Sequence, residues 1–218
     1  MSFAAVVHNS HLVFNGVHYF RGHAESVVIG SYGEKRTPVT QQNYLEVQSD
    51  LPANKLKVNT VTIADIDFSR SREADIKLGL KAADTGATGA AALSDLKAGK
   101  LKLVKLEMRL GDLRDVVNTL SGVLGDLKGY GADARVAHQI FVVLEASLAQ
   151  TFAASGDVSF TRTGSALKMS ASASGSVSGS TSVTFSAGTT FAYLLANPDF
   201  ELGKQRIKKF TDDQHGVA

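Results

Sequence analysis

The chain has 218 residues, no cysteine and a formal net charge of +2, from 23 Lys and Arg against 21 Asp and Glu. The length suits one large domain, and the near-neutral balance argues for no particular charged partner. Without thiols there can be no disulfide, cysteine nucleophile, Cys-ligated zinc or thioester lipid; without a run of about 20 apolar residues there is no membrane-spanning helix, though a β-ribbon of alternating residues escapes that test.

No Pro-rich or acidic linker divides the chain, so residues 1–218 read as a single α+β domain. The opening MSFAAVVHNSH has no basic n-region and only a short apolar run, unlike a secretory signal. Residues 12–20 (LVFNGVHYF) and 24–30 (AESVVIG) read as two short strands around Arg21-Gly22-His23. Residues 31–42, with Gly33 and Pro38, read as a loop, 44–48 as an edge strand and 51–54 as a turn at Pro52. Residues 55–68 and 74–82 read as strands; in the second, Ile76, Leu78 and Leu80 share a face opposite Lys77 and Lys81.

The Gly/Ala-rich stretch 84–99 reads as a short helix from about Ala90 or as a connection between long strands. Residues 100–108 (KLKLVKLEM) form a strand whose alternation slips once at Val104, which suggests a bulge. Residues 110–128 are the one clear amphipathic helix: Leu110, Leu113, Val116, Val117, Leu120, Leu124 and Leu127 make one stripe, and Gly129 and Gly131 suit its end. Residues 132–152 fit either a helix or a strand; the β-branched and aromatic run IFVVL favours a strand from about Gln139. The expected fold is a mostly antiparallel twisted sheet with long hairpins.

From 164 to 187 the chain reads GSALKMSASASGSVSGSTSVTFSA. From 170 to 186 every even position is Ser or Thr, while the odd positions are mostly small or apolar. A period of two maintained that long is a strand pattern, with a hydroxyl ladder on one face. A single strand of this length would span roughly 80 Å, too long for the domain, so a hairpin turning near 174–179 is expected. The ladder has three readings: a half-buried hairpin that lets another layer approach closely, a surface for strand-to-strand assembly, or a membrane hairpin with Val177, Val183 and Phe185 toward lipid and serines toward a lumen. Residues 189–196 (TTFAYLLA) follow as a buried strand, Asn197-Pro198 breaks the pattern, and 197–218 reads as a solvated or regulatory tail.

The chemistry-bearing residues form no familiar catalytic pattern. His8, His11, His18 and His23 lie early but at no recognised zinc spacing, and Asp65 and Asp67 share a strand face without a partner motif. Phosphate loops, nucleophile elbows and HExxH are absent, so the reading is a non-enzyme without metal or cofactor. Lys97, Lys100, Lys102 and Lys105 with Arg109 form a basic strand, and Lys204, Arg206, Lys208 and Lys209 a second cluster; both suit acidic lipid head groups or a solvated surface. No aromatics are interleaved to stack bases, so nucleic acid is not expected.

The stretch 182–201 (SVTFSAGTTFAYLLANPDFE) resembles the end of the gasdermin pore-forming domain, in Thr189, Thr190, Phe191, Ala192 and Tyr193 and in the later pair Phe200 and Glu201. The order of elements before it is compatible. The resemblance implies a cytoplasmic soluble form that oligomerises with its own kind on acidic membranes, converting hairpin regions near 55–108 and 139–187 into a large β-barrel. It differs in having no inhibitory domain after the tail and no cysteine for acylation. The leading expectation is therefore a pore-forming protein, and the alternative a structural subunit of a bacterial or phage particle joined through sheet edges.

Overall fold

The structure, a computed structural model, describes residues 4–155, 158–163, 166–172 and 180–216. After strand β1 (Ala4–Val7), the stretch 12–20 is not one strand but a hairpin of β2 (His11–Phe14) and β3 (Val17–Phe20). Asn15 and Gly16 both take positive φ, 52° and 78°, the twist a two-residue hairpin needs. Ala24–Ser26 is a single 3-10 turn, and the expected loop at 31–42 contains β4 (Ser31–Arg36), paired with the edge strand β5 (Tyr44–Asp50).

Strand β6 (Thr60–Ile66) is followed by helix α1 (Glu73–Lys77), where the alternation predicted a strand. Ile76 is buried within this helix and Leu80 beyond the turn that ends it, while Leu78 in that turn is 56% exposed, so the three do not share one covered strand face. Helix α2 (Gly89–Lys97) then leads into β7 (Leu101–Glu107). β7 runs in unbroken register with both neighbours, so there is no bulge at Val104. Both faces are covered instead: Leu101 and Leu103 belong to one core, Val104 and Leu106 to the other.

The expected helix 110–128 is two helices, α3 (Leu110–Asn118) and α4 (Ser121–Gly129), broken at Thr119 and Leu120. In the ambiguous stretch that follows, the strand preferred from about Gln139 begins earlier, as β8 (Ala134–Glu145), and helix is confined to α5 (Ala146–Ala154) after it. β9 (Val158–Thr163), β10 (Ala166–Ser172) and β11 (Ser180–Phe185) make a three-stranded sheet; the turn expected at 174–179 lies outside the described residues. β12 (Thr190–Phe200) continues through Asn197-Pro198, and the expected tail is corrected by β13 (Ile207–Asp213), which pairs with β12 and buries Ile207 and Phe210.

The fold is α+β and mostly antiparallel, with β1 and β6 the parallel pair among the named strands. The large sheet is closed. Strands β12, β3, β2, β1, β6, β7 and β8 follow one another, and β8 pairs with β12, giving a seven-stranded barrel; β13 extends from β12, and β4 with β5 from β8. Every barrel strand sends residues into one cluster, among them Val7, Leu12, Phe14, Tyr19, Ala64, Leu103, Phe141 and Leu194, so the interior is filled rather than hollow. Ile76 and Leu80 with Leu93 and Leu96 of α2 join this cluster. The outer face of β7, β8 and β12 packs against α3, α4, α5 and the three-stranded sheet in a second core.

Candidate functional site

Register decides which face of the serine ribbon is covered. Leu167, Met169 and Ala171 of β10 stand opposite Phe185, Val183 and Thr181 of β11, and Met169 stands opposite Phe160 of β9. Phe160, Leu167, Met169, Ala171, Val183 and Phe185 are buried in the outer core, with Val183 4% and Phe185 2% exposed. Ser182 and Thr184 are exposed and Ser170 half-buried. Val177 lies outside the described residues. Among the described residues the ribbon shares no backbone ladder with the ten-stranded sheet; Arg162 of β9 reaches the body at the end of β5, donating from Nη1 to Asp50 Oδ2 at 2.9 Å.

The basic residues of β7 and its flanks are not one patch. Lys105, on the same face as Leu103, turns toward the barrel interior: it is 13% exposed, 2.6 Å from Glu107 and 5.9 Å from the Phe14 ring centroid. Lys102, of opposite parity, pairs with Asp65 at 3.3 Å, Lys97 with Glu73, and Lys100 with Asp95 at 3.5 Å. The backbone N–H of Arg109, which precedes α3, donates to Asn59 Oδ1. In the second cluster, Lys204 and Arg206 share Glu201 at 2.7 and 4.0 Å, while Lys208 and Lys209 are exposed on β13. Pairing with carboxylates leaves less net charge for a membrane surface than the count of lysines suggests.

The run 189–193 ties the base of the ribbon into the barrel wall. Thr189 Oγ1 donates to Ser186 O and Thr190 Oγ1 to Val27 O, at 2.8 and 2.5 Å. Phe191 lies under the Arg21 guanidinium, 4.3 Å from ring centroid to Cζ, and Ala192 fills the barrel interior. Tyr193 Oη donates to Gly22 O at 2.7 Å, accepts from the Leu45 N–H at 3.0 Å, and its ring stacks on Phe20. Burial pushes the Tyr193 hydroxyl well above the usual tyrosine range, so it stays a donor.

Two arrangements had no local sign in the sequence, and a third brings the distant His215 to three of the early histidines, while His23 stacks on Tyr44 instead. Arg21 is buried at the barrel end, donating from Nη1 to His8 O and Asp75 O and from Nη2 to Leu78 O, at 2.6, 2.8 and 2.5 Å. Desolvation pulls its pKa down to about 10, with Asp75 acting in the opposite direction. Asp213 of β13 is held by Lys35 and Arg135 at 2.7 and 2.5 Å. The rings of His8, His18 and His215 all stack on His11, at centroid distances of 4.5, 5.1 and 5.2 Å. Among the described residues no group of three or more His, Asp or Glu is arranged to hold a metal ion. Asp65 and Asp67 part company: Asp67 accepts from the Ser69 hydroxyl and from the backbone of Ser69 and Arg70, closing a turn.

The structure thus combines a filled barrel with an amphipathic ribbon laid along its outer face. Among the described residues no helix is long and apolar enough to cross a membrane, which says nothing of strands. No protein-family model, curated protein or solved structure matches this chain.

Proposed function

We propose that the chain is a pore-forming protein whose β9–β11 ribbon leaves the body and enters an acidic membrane. The observation that carries this reading is that, among the described residues, the ribbon is a sheet of its own, packed on the body through its apolar face and joined to the ten-stranded sheet by no ladder at its edges. Lifting it exposes Phe160, Leu167, Met169, Val183 and Phe185, at a cost on the order of 10 kcal/mol that a bilayer would return by taking up the same face. The exposed hydroxyl face would then line water. The filled barrel is no conduit itself, and a few strands cannot close a membrane barrel, which takes about eight or more; several copies would have to join.

A specific observation also favours assembly without a membrane. Among the described residues β9 and β11 each pair on one side only, with β10 between them, so each presents an edge that a second copy could extend.

Vesicle leakage separates the two. Because the chain has no native cysteine, Ser182→Cys and Val183→Cys can each be labelled with an environment-sensitive dye. The pore reading expects release of contents from anionic vesicles, with the label at 183 but not at 182 reporting lipid. Oligomers that form without lipid and cause no leakage would favour assembly.

A further inference from the structure

A broad cleft of about 1290 Å³ opens at the barrel end where Arg21 sits, between the turn after β3, the loop before β5 and the segment around α1. Its cations are held differently from the lysines of β7. Arg21 gives three of its five N–H groups to backbone carbonyls; its Nε is buried without a partner, and one Nη2 proton has no acceptor among the described residues. Lys81 donates to Ser186 Oγ at 3.2 Å and to Ala187 O at 2.9 Å, both uncharged, and keeps a third proton. Lys77 is exposed on the same wall. Against these stand Glu25, which lies 3.9 Å from His23 Nδ1, Asp75, within electrostatic reach of Arg21, and Glu73, which is paired with Lys97 and also within electrostatic reach of Lys77. The remaining wall is rich in amides and hydroxyls, among them Gln42, Asn43 and Thr88.

We infer that this cleft binds a phosphorylated polyol. Lys81, held by neutral acceptors, keeps its charge for an anion, and phosphate is the group that ammonium and guanidinium donors meet best. The amides and hydroxyls supply paired donors and acceptors for sugar or cyclitol hydroxyls, and the volume exceeds what a lone phosphate needs. The ligand is either a soluble metabolite or the head group of a lipid, since the chemistry recognised is the same. Its binding site borders the base of the ribbon, because Lys81 bonds to the two residues that follow β11.

The test is calorimetry of the full chain with inositol trisphosphate, with myo-inositol as the uncharged control, and co-sedimentation with phosphatidylcholine vesicles with or without phosphatidylinositol bisphosphate. Arg21 also holds the barrel cap, so the variant used is Lys77→Gln with Lys81→Gln, checked for an unchanged melting temperature. Inositol trisphosphate is expected to bind and inositol not, and the double variant to weaken binding by about tenfold or more. Co-sedimentation only with the phosphoinositide assigns the lipid source, and binding of the soluble head group alone assigns the metabolite. No heat with inositol trisphosphate, or equal affinity in the double variant, overturns the site. The calorimetric arm does not require the ribbon to move, so its failure leaves the pore reading standing, and a lack of leakage leaves this binding intact.

Discussion

Met169 and Val183 face each other across the β10–β11 ladder with both side chains buried, while their neighbours Ser170 and Ser182 face each other on the opposite side. One ribbon therefore has an apolar face fully in use and a hydroxyl face turned outward. Phe185→Ala, on the first face, should lower the unfolding free energy by about 3–5 kcal/mol, and Ser182→Ala by no more than about 0.5. Urea denaturation reads both; equal effects would mean that the faces are assigned wrongly.

Asp213 fastens the last strand. Lys35 and Arg135 both point at its carboxylate, and all three side chains are largely buried. Asp213→Ala leaves two cations without their anion and should cost about 3–5 kcal/mol. Truncation after Asn197 removes the same carboxylate with the whole of β13, so it is expected to unfold the chain rather than release an inhibitor. A truncated protein with an unchanged melting temperature would contradict this.

The stacked imidazoles predict a loss of stability in mild acid. Burial, followed by the repulsion of His8, His215 and His18 and then of Arg21, lowers the His11 pKa from the ordinary 6.5 to about 4. His215 is lowered too, by burial, His18 and Lys35. Between the two pKa values the unfolded chain binds the extra proton, so the stabilisation is complete above about pH 6.5 and is lost as pH falls toward 4. With the rings partly exposed the effect is on the order of 1 kcal/mol. Melting curves at about pH 7.5 and pH 5 should differ by several degrees in the wild type and by less in His11→Gln.

Tyr193→Phe tests the barrel wall. It removes a donor to Gly22 and leaves the buried Leu45 N–H without its acceptor, at about 1–3 kcal/mol, with little change in ring packing. A neutral result in urea would show that water or a shifted backbone replaces the hydroxyl.

What could be read in the sequence was the local periodicity that agreed with burial. The serine ladder alternates in the way its faces are covered, the apolar runs of β7 and β12 are buried on both sides, and the α+β class follows from them. Residues 74–82 misled because Ile76, Leu78 and Leu80 satisfy a strand's period, whereas only Ile76 and Leu80 are buried. Asn15-Gly16 carried a hairpin signal that the apolar residues on either side obscured. Barrel closure depends on β8 meeting β12, a pairing between distant stretches that no local pattern encodes. For the same reason Arg21 was silent: its acceptors, on His8, Asp75 and Leu78, are brought together only by the closed barrel.

On the pore reading proposed above, the ribbon must leave the body to act. Arg162→Cys and Asp50→Cys, introduced at the contact between β9 and β5, can be joined by a cleavable thiol-reactive linker. Leakage of dye from anionic vesicles is then measured with the linker absent, in place and cleaved. Leakage, none, and leakage restored are the expected results, with the linked protein retaining its melting temperature. Equal leakage with the linker in place, or none in any of the three states, would contradict that reading.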